Sequence, residues 1–442
     1  MNGQSTMSRT ERARLRRKQR EQQWKWAAIG ILFVIMIVSA LMIAWGWMEK
    51  SGGNGKATAP DPAEPADLPP VEKSSETGGS ETEDTEDKSD MPQEDPSQQD
   101  SRLDESEAAA GKADEKVDDP SQRVHLAFVG DVLLGSTVET NLLQKHGYDY
   151  PYWHVRDLLR AADFLAANLE TPITERGEPE DKQYVYRSRP KALPAFRDAG
   201  FDLVGLANNH ILDYGLVGLE DTLHHLKQNS ILYVGAGMDI DEAFRPQIIE
   251  MKGMRIAYLA FSQVVPHNDW KATRYQGGVA DTYALERPIA EIEKAKEDAD
   301  LVVVLVHWGQ ERVHEPNERQ METAKAYIDA GADLVIGSHP HVLQSLQSYK
   351  GKWIAYSLGN FIFTTNDHPP TWESVILNAY CDKNGNCELE LVPVSVKWAQ
   401  PVQMEKEEGR RLLKKLEELS PGVIIDDTGK VSRKEHGGTG KT

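Results

Sequence analysis

The chain has 442 residues, 70 Asp and Glu against 50 Lys and Arg, a formal net charge of −20 and only two cysteines. Charge is uneven along it: residues 1–25 carry roughly +6, residues 51–122 roughly −15 and the remainder roughly −11. Two cysteines exclude a disulfide-built mini-domain, and an acidic folded part argues against nucleic acid as the partner, which needs a basic face.

Residues 26–47 hold no charged side chain, and Ile31, Leu32, Phe33, Val34, Ile35, Met36, Ile37 and Val38 form an unbroken apolar run. About 22 residues at 1.5 Å rise span roughly 33 Å, enough for a hydrocarbon core of about 30 Å. Trp24, Trp26, Trp45 and Trp47 flank the run, where amphipathic rings favour the interface. Arg9, Arg12, Arg14, Arg16, Arg17, Lys18, Arg20 and Lys25 lie upstream, which keeps the N-terminus inside and sends the rest out. The run is longer than a signal-peptide core and no small-x-small site ends it, so an uncleaved single-pass anchor in the cell membrane is expected. Residues 1–25 then form a basic cytoplasmic head and 26–47 the transmembrane helix. Residues 48–122, rich in Glu, Asp, Ser, Pro and Gly, are expected as a disordered acidic linker.

From residue 123 strands and helices alternate. Val124–Val129 reads as a buried strand stopped by Gly130-Asp131, and Trp153–Ala162 as helix. Phe164–Ala167 leads to Asn168-Leu169-Glu170, Pro194–Ala199 is helical, and Leu203–Leu206 is a strand before Ala207-Asn208-Asn209-His210. Helix at Leu216–Lys227, strand at Ile256–Phe261 and helix at Ile289–Asp298 follow. Strand Leu301–Val306 runs into His307-Trp308-Gly309, helix Gln320–Ala330 precedes strand Leu334–Ile336, and that strand runs into Gly337-Ser338-His339-Pro340-His341. Trp353–Tyr356 is a strand before Ser357-Leu358-Gly359-Asn360-Phe361. Val375–Val396 reads as a hairpin turning at Asn384-Gly385, and Glu405–Leu419 as a charged helix. Cys381 and Cys387 flank that turn; a cross-hairpin disulfide and a two-ligand metal site both stay open, the second being the poorer fit to zinc. The polar stretch after Gly422 receives no element. The expected division is a domain over 123–400 and a C-terminal helix and polar tail over 401–442. This alternation implies an α/β fold, a sheet with helices packed outside it.

Apolar strands end again and again in a residue able to bind metal: Asp131, Glu170, Asn209, His210, His307, His339 and His341. The carboxyl ends of strands in α/β sheets line one crevice, so residues distant in sequence meet there. Carboxylate, amide and imidazole donors suit a divalent ion such as manganese, zinc or iron. Arg187 and Arg189 are candidates to grip a carboxylate or phosphate, with a solvated loop as the equal alternative. Asp213 and Gly215 read as a helix cap, Trp308 and Glu311 as support or packing for His307, and His224 and His225 as surface residues.

Gly130-Asp131-Val132-Leu133-Leu134-Gly135, Asn168-Leu169-Glu170, Asn208-Asn209-His210, His307-Trp308-Gly309-Gln310-Glu311, Gly337-Ser338-His339-Pro340-His341 and Ser357-Leu358-Gly359-Asn360-Phe361 occur in this order. Together they closely resemble the CapA family of poly-γ-glutamate capsule proteins, also called PgsA, over about Val124 to Val396. The resemblance implies a calcineurin-like metallophosphoesterase fold, a two-sheet sandwich flanked by helices. It also implies Asp131, Glu170, Asn209, His307, His339 and His341 as metal ligands, with Glu170 or Asn168 standing where the bridging aspartate usually sits. His210 and Asp131 would be catalytic, and Asn168 and Asn208, with Arg187 and Arg189, would face the substrate. Two departures stand out. Phosphoesterases pair the first aspartate with a histidine two residues on, where this chain has Leu133, and their second motif has an aspartate where this chain has Asn-Leu-Glu.

The function implied is a membrane-anchored, extracellular component of poly-γ-glutamate synthesis or export. Its partners would be membrane-embedded synthase or export subunits and the polymer itself. A secreted metal-dependent phosphoesterase and a non-catalytic polymer-binding subunit are the alternatives, the latter favoured by Leu133.

Overall fold

The computed structural model describes residues 123–434, which form one compact unit. The expected transmembrane helix and acidic linker lie outside the described residues. Among the described residues no helix is long and apolar enough to cross a membrane.

Two large sheets form the body. The path across the ten-stranded sheet runs Val423–Ile425, Lys430–Arg433, Cys387–Ser395, Glu373–Cys381, Val124–Val132, Phe164–Leu169, Phe201–Gly205 and Leu232–Val234. The six-stranded sheet runs Leu346–Tyr349, Lys352–Ala355, Leu334–Ser338, Leu301–His307, Met254–Ser262 and Gln247–Met251. Each contains four adjacent parallel strands with antiparallel strands at the flank. Parallel neighbours align their carboxyl ends, so the layout delivers one polar rim per sheet.

Side chains alternate across each strand and divide the core into three layers. Leu126 and Phe128 join Phe164, Tyr258, Val303 and Leu334 between the sheets. Ala127 and Val129 point the other way, onto Phe196 and Leu223 of the helices Leu193–Asp198 and Gly215–Gln228. On the far side Val302, Val304 and Val306 pack on Ile292 of the helix Glu286–Asp298 and Tyr327 of the helix Glu318–Asp329. The result is a two-sheet α/β sandwich flanked by helices. Fully burying a side chain such as Phe128 contributes about 2–3 kcal/mol, so each strand face commits its register.

Several sequence expectations need correction. The first strand does not stop at Gly130-Asp131 but continues to Val132, because Asp131 is paired on both sides, with Asn168 and with Asn360. Gly130 permits this: a Cβ there would lie 1.8 Å from the carbonyl oxygen of Gly359. Helix in the 153–162 region is limited to Arg156–Arg160, preceded by a 3-10 turn at Tyr150–Tyr152. The stretch after Gly422 forms two strands; Val423, Ile425 and Val431 are buried in the core between the sheets while polar residues separate them. Cys381 and Cys387 are direct cross-strand partners and are disulfide-bonded, which removes the metal alternative for that pair.

Candidate functional site

The strand ends converge as their topology requires. Asp131 lies in the first strand and Glu170 follows the second, its N–H donating to the Val132 carbonyl at 2.9 Å. His307 closes the strand Leu301–His307, and its register partner Ser338 closes Leu334–Ser338. Just beyond, His339 and His341 adopt φ values of +96° and +56°, left-handed conformations that cost non-glycine residues about 1–3 kcal/mol. The Arg312 N–H donates to Pro340 O at 2.8 Å and holds this turn.

Asp131 and Glu170 are wholly buried, and His307 and His339 nearly so. His341 Nδ1 lies 3.1 Å from Asp131 Oδ2 and 2.9 Å from Asn360 Oδ1, while its Nε2 is 3.8 Å from Glu170 Oε1. His307 Nε2 is 2.8 Å from Asn209 Oδ1 and 3.7 Å from Glu170 Oε1, with its Nδ1 against Ser338 Oγ at 3.0 Å. Asn168 Nδ2 donates to Asp131 Oδ1 at 2.8 Å. Two trios, Glu170 with His339 and His341, and Asp131 with Glu170 and His307, bring ligand atoms within 4.8 Å of one another and share Glu170.

This grouping is electrostatically unsatisfied as it stands. Burial, then the neighbouring Asp131, pushes the Glu170 carboxyl well above the usual carboxylate range. Burial and the nearby imidazoles of His339 and His341 hold His307 well below its ordinary value, and burial with His341 takes His339 down to about 3. Burial also disfavours charged His341, but Glu170 and Asp131 outweigh it and raise that ring to about 9. Glu170 Oε1 and His339 Nδ1 are buried with no hydrogen-bond partner. Leaving such atoms orphaned costs about 1–3 kcal/mol each. A divalent cation fits: it would supply both orphaned atoms with a partner and offset two buried carboxylates, and the oxygen and imidazole donors suit zinc, manganese or iron.

Beside this group sits His210, its Nδ1 2.8 Å from Asp213 Oδ2. Asp213 is therefore not a helix cap; the helix Gly215–Gln228 has no side-chain cap, and Asp213 is fully buried against His210 and Lys182. Burial lowers His210, with Asp213 opposing. Tyr186 packs tilted on His210 at 4.4 Å and Phe363 on His341 at 4.6 Å.

The structure brings Asp131, Asn168, Glu170, Asn209, His307, His339 and His341 together. Asn208 is buried, its amide donating to Asn168 Oδ1 and Leu169 O and accepting from the His210 N–H, so it braces the group from behind. Arg189 pairs with Glu139 and Glu175, and Arg187 packs over Tyr214; neither shows a contact with the cluster among the described residues. Trp308 is core, donating to Tyr356 O. Leu133 is fully buried, and His341 is the imidazole beside Asp131. Sequence reasoning missed Lys182, Asp213, Ser338 and Asn360 as participants. The signal for Asp213 was its position three residues after His210, and Asn360 lay inside a run already singled out.

Residues 125–365 match the family described as bacterial capsule synthesis protein PGA_cap. The chain belongs to that family. Among curated relatives, the PGA biosynthesis protein CapA of Bacillus subtilis is 36% identical over 303 residues, 67% of this chain and 79% of the relative. The capsule biosynthesis protein CapA of Bacillus anthracis is 34% identical over 289 residues, 64% of this chain and 69% of that one. Two solved structures are far more distant. A hypothetical protein from Thermus thermophilus is 17% identical with a TM-score of 0.37, covering 63% of this chain and 96% of its own. A 5'-nucleotidase from Candida albicans is 13% identical, also at 0.37, covering 61% and 51%. Likeness that loose carries no argument here.

Proposed function

We propose that this PGA_cap family member is a membrane-anchored, extracytoplasmic component of poly-γ-glutamate capsule biosynthesis or export, working through a divalent metal centre. The observation that carries the proposal is the convergence of Asp131, Glu170, His307, His339 and His341 at the strand ends, with two buried donor atoms lacking partners. The relatives' names supply the capsule context. The anchor rests on the uncharged run at residues 26–47, and the Cys381–Cys387 disulfide suits an oxidising exterior. Membrane-embedded synthase or export subunits and the polymer are the partners that go with this reading.

Asp131, Glu170, Asn209, His307, His339 and His341 would hold the ion, as in a metallophosphoesterase-type centre. A bound divalent ion supplies Lewis-acid polarisation of a carbonyl or phosphoryl oxygen and activation of water. Asn168 and Asn360 fix the orientations of Asp131 and His341. His210, held through Nδ1 by Asp213, keeps its other ring nitrogen for proton transfer to a leaving group. The acidic chain would repel a polyanion, and a cation held by residues such as Asp131 and Glu170 would weaken that repulsion locally.

The test is His339→Ala, His341→Ala in the full chain, in a strain that depends on it for capsule. Loss of polymer with normal amounts of the protein at the membrane is expected; normal capsule overturns the proposal. The His210–Asp213 pair favours a second reading, a metal-dependent hydrolase. Turnover of a generic phosphodiester that disappears in His210→Ala would support it.

A further inference from the structure

The segment between the strand Phe164–Leu169 and the helix Leu193–Asp198 closes on itself where Ile173 bridges Ser188. Backbone bonds at 3.0 Å from Thr174 N–H to Ser188 O and from Ser188 N–H to Pro172 O seal its base. The loop so formed drives one cation inward. Lys182 Nζ lies 2.6 Å from Asn209 O, 2.5 Å from Asp213 Oδ1 and 3.2 Å from His210 Nδ1, and it sits 4.9 Å over the Trp270 ring. Its side chain is only 15% exposed. A buried ammonium is costly unless paired and hydrogen-bonded, and it has three N–H groups to place. Asn209 O accepts one of them, Asp213 Oδ1 is the counter-charge and the Trp270 ring lies beneath the ammonium; His210 Nδ1, whose proton goes to Asp213, is a neighbour of Lys182 and not an acceptor for it.

Its partners belong to two consecutive residues with separate tasks. The carbonyl of Asn209 takes the ammonium while the side-chain oxygen of the same residue faces His307 Nε2 at 2.8 Å. His210, next in sequence, turns its Nδ1 to Asp213, and Asp213 also accepts the N–H of Tyr186 from the same loop at 2.6 Å. We propose that Lys182 is a positioning residue: it fixes the Asn209–His210 peptide so that Asn209 Oδ1 reaches the His307 end of the metal centre and the His210 ring stays on Asp213. A plain packing brace would need only the four-carbon stem, which methionine approximates; this role needs the charged donor. The inference rests on the metal-centre reading above.

The experiment uses the full chain in detergent, with Co²⁺ as the probe, read by its visible absorption spectrum, by titration and by thermal melting. The parent should bind Co²⁺, and Lys182→Met should fold yet bind one equivalent at least tenfold more weakly with an altered ligand-field spectrum. Lys182→Arg, which keeps the charge, should recover part of both. Should Lys182→Met not fold, the same readings on Lys182→Gln decide in the same way. Parental affinity and spectrum in the methionine or glutamine variant overturn the role of Lys182 alone. A parent that binds no Co²⁺ overturns the metal reading and this inference with it.

Discussion

Gly130→Ala tests whether the close approach of two backbones sets the proposed metal centre. The added Cβ would stand 1.8 Å from Gly359 O and 2.8 Å from Gly359 C, both backbone atoms that no rotamer change can clear. Contacts under 3.0 Å are essentially never seen, so the two segments must part by about 1.2 Å. That movement breaks the 3.0 Å bond from Asp131 N–H to Gly359 O and disturbs the Asp131–Asn360 pairing. Overpacking costs about 1–3 kcal/mol and the lost hydrogen bond about 1 kcal/mol, giving about 2–4 kcal/mol in all. In a domain of this size that lowers Tm by about 5–10 °C. Because Asp131 moves with the strand, metal retention should fall as well. The assay is a thermal melt of the full chain beside its metal content. A Tm within about 1 °C of the parent together with parental metal content would refute the reasoning.

Three further outcomes are expected. In the metal-free protein, His341 with its pKa raised to about 9 contributes stability that is complete below about pH 6.5 and lost as pH rises through about 9. His339, lowered to about 3, does the opposite: the unfolded chain takes up a proton that the folded chain refuses, so stability falls as pH drops below about 6.5. Melting of the metal-free chain should therefore peak near neutrality, and titration calorimetry in two buffers at about pH 7.5 should show metal binding releasing a proton. Asp213→Ala leaves the buried Lys182 without its counter-charge and should cost about 3 kcal/mol in chemical denaturation; parental stability would contradict the pairing. Replacing Cys381 and Cys387 by serine opens a loop with a sequence separation of six and should cost about 2 kcal/mol, read as a lower denaturation midpoint.

The strands and helices of the body were legible because their apolar periodicity is uninterrupted: Leu301–His307 and Glu318–Asp329 lie where the pattern puts them. Elements carried by pairing rather than composition were not. Val423–Ile425 and Lys430–Arg433 are strands because the sheet edge accepts them, and Val132 extends the first strand because neighbours hold it on both sides. The cluster was visible as strand-end donors, since topology alone brings such ends together. What stayed hidden were the groups that arrive from loops. Nothing local in Glu180-Asp181-Lys182 announces that Lys182 turns inward, and Asp213 looked like a cap because it precedes a helix. Likewise Arg187 and Arg189 had suitable chemistry, but their loop directs them to Tyr214 and to Glu139 and Glu175.

The most direct test of the account is the metal content of the purified full chain, measured by elemental mass spectrometry beside a His307→Ala, His339→Ala variant. The account predicts at least one equivalent of a divalent transition metal in the parent and none in a variant that still folds. A folded parent that carries no metal, even after metal is added back, would contradict it.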